Sequence, residues 1–446
     1  MKLKQGVLTP LETLAQSVAG IAPSATPGML IPIIFGFAGN GSWLTFVLAT
    51  IGILLTAQCI NEFASRSACA GSLYTFVTMG SGSRLGMLTG WALMFSYVFC
   101  TAACITEFSI YAGSLCTHLL QITIADGILL TAAALLIGFI AYKNIKLSAS
   151  LMLKCEFISM TLIVVLMLIA LYAEGFKPDL QQLNLSGVKF DNVRMGLVMA
   201  IFGFAAFESA ASLGVEACEP LHTIPKAIMR SVVISGVFFV LSTYAMVMTF
   251  HHLASPLEKT STPLLAMANY LRIPALGQLI DGGILVSFFA AGLANLNAGA
   301  RIIYKMSEDG HFHSRLANVH NTNQTPHIAV AACSVVSLLI ALGLAAQRVP
   351  LLDIVGWLGT LATFGFIIVY LNICISAAFL LRQSQALTPV KLVVITGSTA
   401  VLLCSLVGSL WPAPAYPYNI LPWLFAAYMI IGWLRTVYFP AKCSAD

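Results

Sequence analysis

Apolar residues in this chain come in long unbroken blocks, without the alternation of a half-buried strand or the one-sided stripe of a surface helix. Blocks of about 20 residues recur over its whole length, at roughly 12–38, 43–65, 86–112, 127–142, 147–173, 195–215, 227–250, 278–304, 327–346, 353–381, 390–410 and 419–438. A helix of that length crosses a ~30 Å hydrocarbon layer and satisfies its own backbone hydrogen bonds while doing so. The pattern predicts an all-α integral membrane protein of twelve transmembrane helices, the fourth of them short, with no block left for a soluble domain.

Composition agrees: 59% of the 446 residues are hydrophobic and 9% charged, more apolar surface than a soluble chain can bury. The opening "MKLKQGVLTPLETL" lacks a short apolar core followed by a small-residue cleavage site, so the first block is expected to stay as a membrane element. With the N-terminus placed in the cytoplasm, fifteen of the 22 Lys and Arg, among them Lys2, Lys4, Lys143, Lys146, Arg301, Lys305 and Lys442, fall on the cytoplasmic side. Six (Lys177, Lys189, Arg194, Lys259, Arg272 and Arg348) fall outside, and Lys154 lies within a block. The bias predicts both termini inside. It also accounts for most of the net +5, which is a topology signal and no nucleic-acid footprint.

Two blocks are interrupted. "GIAPSATPG" (20–28) sets Pro23 and Pro27 between Gly20 and Gly28. Each proline lacks an N–H and clashes with the preceding turn, so residues 22–27 are expected to be non-helical, which hydrocarbon tolerates only where the backbone lines a cavity or is buried in protein. The sixth block, "LVMAIFGFAAFESAASLGVEACEP", is rich in small residues and carries Glu208 near its middle. Its break is expected at about 203–206. Interruptions at positions one and six point to a five-plus-five inverted repeat with a site near the membrane midplane. Half-helix N-termini there meet an anion and freed carbonyls a cation, which suits a small zwitterion.

Three separated segments carry a family resemblance: "AGSLYTFV" (70–77), "GFAAFESAASLGVEACEPLHTIPKAI" (203–228) and "NAGARIIYKMSEDGHFHSRLANVH" (297–320). With the twelve-block layout, the chain resembles the amino acid–polyamine–organocation (APC) transporter superfamily. The resemblance implies a LeuT-like fold: a first repeat over 1–173, an inverted second repeat over 195–381, and two peripheral helices with a cytoplasmic tail over 382–446. It implies a substrate carboxylate held at Ser24, Ala25 and Thr26, and an amino group held by carbonyls near Ala22, Phe202, Gly203 and Ala205. Phe202 stands where the family often has an aromatic gate. The first break reads P-S-A-T-P here, not the family's common G-S-G, so the donor to the carboxylate is open by a position or two. Counting from Trp91 places Met94 and Val98 on the pocket-facing side of the third helix. Counting from "EDG" (308–310) places Asn295 there on the eighth, although interhelical packing serves equally well for that amide. These groups suggest a neutral, small-to-medium substrate side chain.

For coupling, the expectation is a proton. Several proton-coupled relatives carry a lysine on the fifth helix. The fifth block here holds Lys154 and Glu156, two residues apart and so on different faces, while the family position falls nearer Ser159. Lys154 could equally snorkel to the interface. Glu208 is favoured, a carboxylate beside a helix break whose charge is costly to bury. Glu107 is expected toward the outer end of the third helix.

The reading is a secondary active transporter of amino acids in the plasma membrane, the inner membrane if bacterial, with an amino acid, amine or polyamine exchanger as the alternative. The sequence has no HExxH, GxSxG or Cys/His cluster that would support an enzyme, and the eleven cysteines form no CxxC. No cofactor, no metal and no nucleic-acid partner is expected. The partners are the amino acid, the proton and the lipid bilayer.

Overall fold

The computed structural model describes residues 6–69, 71–143, 145–321, 323–411 and 413–438. Lys2, Lys4 and Lys442 of the charge count, and Ala70 at the head of the 70–77 segment, lie outside the described residues. Along the chain run α1 (Pro10–Ile21), α2 (Ala25–Ala38), α3 (Ser42–Ala64), α4 (Ser72–Ser81), α5 (Ser83–Leu115), α6 (Asp126–Lys143), α7 (Ile145–Ala173) and α8 (Leu180–Leu183). There follow α9 (Phe190–Phe202), α10 (Pro220–Phe250), α11 (Pro263–Tyr270), α12 (Pro274–Glu308), α13 (His327–Ala346), α14 (Leu351–Gln383), α15 (Pro389–Leu410) and α16 (Leu421–Tyr438). Every apolar block of the sequence is occupied by helix or by helical segments meeting at a break. Nine stretches among the described residues are long and apolar enough to cross a membrane, the first running from Pro10 to Ala64 through three helices.

Local chemistry sets the ends. Thr9 caps α1 reciprocally with Glu12: the Glu12 amide donates to the Thr9 hydroxyl at 3.3 Å and the Thr9 amide to the Glu12 carboxylate at 2.8 Å. Proline stands in the first turn of α1, α10, α11, α12 and α15, where its missing N–H costs nothing.

α5 is the hub, packed against α12, α14, α13 and α6. Of its most apolar window 83% is buried, against 22% for α15. The peripheral helices carry their apolar residues outward, as at Leu135, Phe139, Val390 and Val393. An exposed face of that kind has lipid as its solvent.

Both interruptions are real, with bounds that differ from those read off the sequence. In the first, only Ala22, Pro23 and Ser24 leave the helix; Ala22 takes a left-handed conformation (φ 50°). The break stops short of 27 because Pro27 falls in the first turn of α2, where amides have no intrahelical partner. The second break is longer than expected. After α9 the chain makes tight turns over 203–208 and then only a short 3₁₀ segment, Ser209–Leu213. Successive three-residue-back hydrogen bonds, Phe204 to Ile201 and Ala205 to Phe202, hold it.

The two breaks lie against each other. Ser17 Oγ donates to the Phe207 carbonyl at 2.7 Å, and Ser209 Oγ to the Gln16 carbonyl at 3.1 Å. Their closeness depends on Gly20, where a Cβ would stand 2.8 Å from the Ala206 carbonyl oxygen.

Candidate functional site

A small cavity lies where the breaks meet. The first break lines it with Ala22, Ala25 and Thr26 and the second with Phe202, Gly203 and Ala205; Glu107, Cys100 and Cys104 close it from α5, Phe288 and Ala291 from α12. The space is about 40 Å³, room for water and not for an amino acid. The Phe202 ring lies over Gly359 of α14, where a Cβ would come within 2.9 Å of it. Away from the N-terminal end of the fold, Val198 and Met199 of the same helix line a second cavity of about 320 Å³ with Thr360, Phe364 and Tyr418.

Six residues singled out in the sequence thus meet at one cavity. The others stand elsewhere. Ser24 is buried behind the wall; its amide donates to Glu156 Oε1 at 2.7 Å, and its hydroxyl has no partner. Met94 and Val98 line a different pocket, between α5, α13 and Tyr428. The face of α5 that meets the cavity is Cys100, Cys104, Glu107, rotated well away from Met94 at 100° per residue. Asn295 lies one turn beyond the wall, donating to the Ala291 carbonyl at 2.8 Å with its Oδ1 unpartnered.

Glu107, about two turns short of the C-terminal end of α5, stands in the cavity wall and is buried there. Its signal was legible: Cys100, Cys104 and Glu107 recur at i, i+4, i+7, one helix face. Glu107 adds a carboxylate to a wall that is otherwise mostly apolar.

Glu208 is fully buried, one carboxylate oxygen accepting from the Tyr97 hydroxyl (2.9 Å) and the other from Tyr370 (2.8 Å). Glu156, on α7, is buried against the first break, with its second oxygen unpartnered. Lys154 points the other way, exposed on the outer surface beside Leu11, Leu14 and Phe157. The structure brings it to neither carboxylate, as the two-residue offset from Glu156 requires.

Sequence reasoning missed a polar cluster on the N-terminal side. Arg301, 2% exposed, grips Glu216 with two bonds of 2.8 and 3.0 Å. Nearby Tyr74 donates to Asp309 at 2.8 Å, and Lys305 pairs with Asp309 at 2.9 Å. The three segments that carried the resemblance converge here. The amides of Val7 and Leu8 also bond the Glu216 carbonyl, and the Cys218 amide bonds the Leu8 carbonyl.

A lipid-facing helical fold that encloses a cavity between two interrupted helices is that of a multi-pass membrane protein. The amino acid permease model matches residues 14–443, and the chain belongs to that family. It is 26% identical over 385 residues to cationic amino acid transporter 4 of Mus musculus, an alignment covering 80% of this chain and 58% of that protein. It is 26% identical over 365 residues to the branched-chain amino acid permease BcaP of Bacillus subtilis, covering 78% and 75%. With the methylthioribose transporter of the same organism it shares 25% over 307 residues, covering 65% and 64%. The chain spans a little over half the length of the first of these relatives.

Proposed function

We propose that this protein carries an amino acid across the plasma membrane by alternating access, coupled to protons, with twelve spans and both termini in the cytoplasm. The architecture behind the proposal is a repeat over 1–173, its inverted counterpart over 195–381 and a peripheral pair over 382–446. The observation that carries it is the shared cavity. The chain from Gly20 to Leu30 and the turns that begin at Gly203 put a helix C-terminus, a helix N-terminus and non-helical backbone around one small space. The first turn of α2, at Ala25 and Thr26, suits a carboxylate; carbonyls at Ala22, Gly203 and Ala205 suit an ammonium. Phe202 serves as the lid, and because the space is too small for the cargo, loading requires the walls to part.

The relatives' names span cationic and branched-chain amino acids. A neutral substrate fits the apolar wall of Met29, Leu30 and Phe288. A cationic substrate is the second reading, favoured by one observation, Glu107 in the wall. For coupling, Glu208 and Glu156 are the groups in position, since each is a buried carboxylate bonded at a break or to the helices beside it.

The test is uptake into proteoliposomes at fixed sodium over a pH series, with counterflow to separate exchange from symport. A proton gradient should drive accumulation, and Glu208→Gln should flatten the pH response while substrate still raises thermal stability by mass action. Uptake that needs sodium and ignores the proton gradient would overturn the coupling. Glu107→Gln should lower uptake of lysine, arginine or ornithine relative to leucine if the cationic reading holds; an unchanged ranking rejects it.

A further inference from the structure

The reading above leaves a buried carboxylate unused. Asp281 of α12 is 1% exposed, and neither carboxylate oxygen has a hydrogen-bond partner among the described residues. An ionised carboxylate without a donor in such a place costs several kcal/mol. Intramembrane acids that are kept despite such costs are functional candidates.

Among the described residues, no cation stands beside it to hold the charge. One turn before Asp281, Gly277 packs on the short helix α11, against Ala268 and Leu265. One turn after, Ile284 packs on Gly28 of α2. From α5, Tyr111 lies within electrostatic reach of both Asp281 and Glu107, but its hydroxyl donates to the Gly28 carbonyl at 3.0 Å. From α7, Glu156 is held by the Ser24 amide. α2 has no ionisable side chain, and α11 has only Tyr270, which is exposed. On α6, which also packs on α12, Asp126 at the same end of the fold is exposed; Lys143 and Tyr142 lie at the other end, as do Glu12 of α1, His327 of α13 and Arg315. So the closed packing of α11 over α12 accommodates a neutral Asp281 and no ionised one.

We propose that Asp281 is a proton-binding site loaded from the outside: it must carry a proton for α11 to seat, and it gives that proton to water when α11 lifts. This rests on the transporter reading above, in which α11 lies on the outer face. Acid outside then speeds closure of the outer side, independently of the carboxylates at the breaks.

The test is hydrogen–deuterium exchange of residues 264–270 in lipid nanodiscs between pH 5 and 9, each rate divided by its intrinsic value. In the wild type, opening of α11 linked to loss of one proton should rise with pH, with a limiting slope of about tenfold per pH unit. Asp281→Asn and Asp281→Leu should be flat and protected throughout; Asp281→Glu should keep a slope. A flat wild type, or a slope that survives in both uncharged variants, overturns the proposal. Counterflow at fixed internal pH adds the functional arm: wild-type exchange should rise as the outside is acidified, and Asp281→Asn exchange should not. Absent counterflow with the exchange slope intact counts against the transporter reading alone; counterflow with no slope in α11 counts against Asp281 alone.

Discussion

Tyr97 and Tyr370, from α5 and α14 respectively, each give one carboxylate oxygen of Glu208 a hydroxyl donor. Removing one leaves a buried carboxylate oxygen unpaired, which costs roughly 1–3 kcal/mol. Tyr370→Phe is therefore expected to lower the unfolding temperature and to move the pH profile of uptake, whereas Phe202→Ala, which removes no ionisable group, should weaken uptake of every substrate and leave the profile in place. Initial rates over the same pH series separate the two. Asn295→Ala should act through Ala291, changing the ranking among substrates; an unchanged ranking would make that amide a packing group. Outside the spans, burial holds the His311 imidazole below its usual 6.5, with Asp309 opposing and Arg435 adding to the effect. A base lowered on folding binds fewer protons folded than unfolded, so its contribution is complete above about pH 6.5 and is lost as pH falls toward the folded value. The unfolding temperature of the wild type should fall over that acid range, and His311→Gln should show less of the decline.

The elements differ in how much of them the sequence revealed. Helix positions were legible because lipid demands long apolar runs, and the breaks because two prolines and a run of small residues stand inside such runs. Rotation about each axis was not. α5 is buried nearly all round, so its apolar residues mark no face, and counting from Trp91 chose Met94 and Val98 instead of Cys100, Cys104 and Glu107. On α7 the two-residue offset did separate Lys154 from Glu156, but nothing in the sequence said which of them faced inward. The extent of the second break was also hidden, since Gly and Ala suit a close helix contact as well as a turn. At this scale Gly20 is the test. Gly20→Ala sets a methyl against the backbone oxygen of Ala206, which has no side-chain freedom with which to yield. It should cost about 1–3 kcal/mol by thermal unfolding and depress uptake, whereas Gly343→Ala, with nothing within 4 Å of the new methyl, should do neither.

For the molecule as a whole, the N-terminal side is held by charge and the hub by packing. Breaking the buried Arg301–Glu216 pair from one side leaves an uncompensated charge, at roughly 3–5 kcal/mol. Arg301→Met should lower the unfolding temperature sharply, and Arg301→Met with Glu216→Leu should recover much of the loss. If the double variant is no better than the single, the arginine acts through its Asn297 carbonyl contact and not through the pair.

The backbone pairing of Val7 and Leu8 with Glu216 and Cys218 has a mechanical consequence. Together with Ser17 on Phe207 and Ser209 on Gln16, it fastens α1 to residues 209–218 along their shared length. The two are expected to turn as one rigid body, with the non-helical residues 22–24 and 203–208 as its hinges. Two contacts tie that body to α12: Gln16 donates to the Ala294 carbonyl at 3.2 Å, and Glu216 pairs with Arg301. A disulfide welded within the body, Leu8→Cys with Ala217→Cys in a Cys218→Ser background, should leave uptake intact. One welded across its moving edge, Gln16→Cys with Ala294→Cys, should arrest transport until it is reduced.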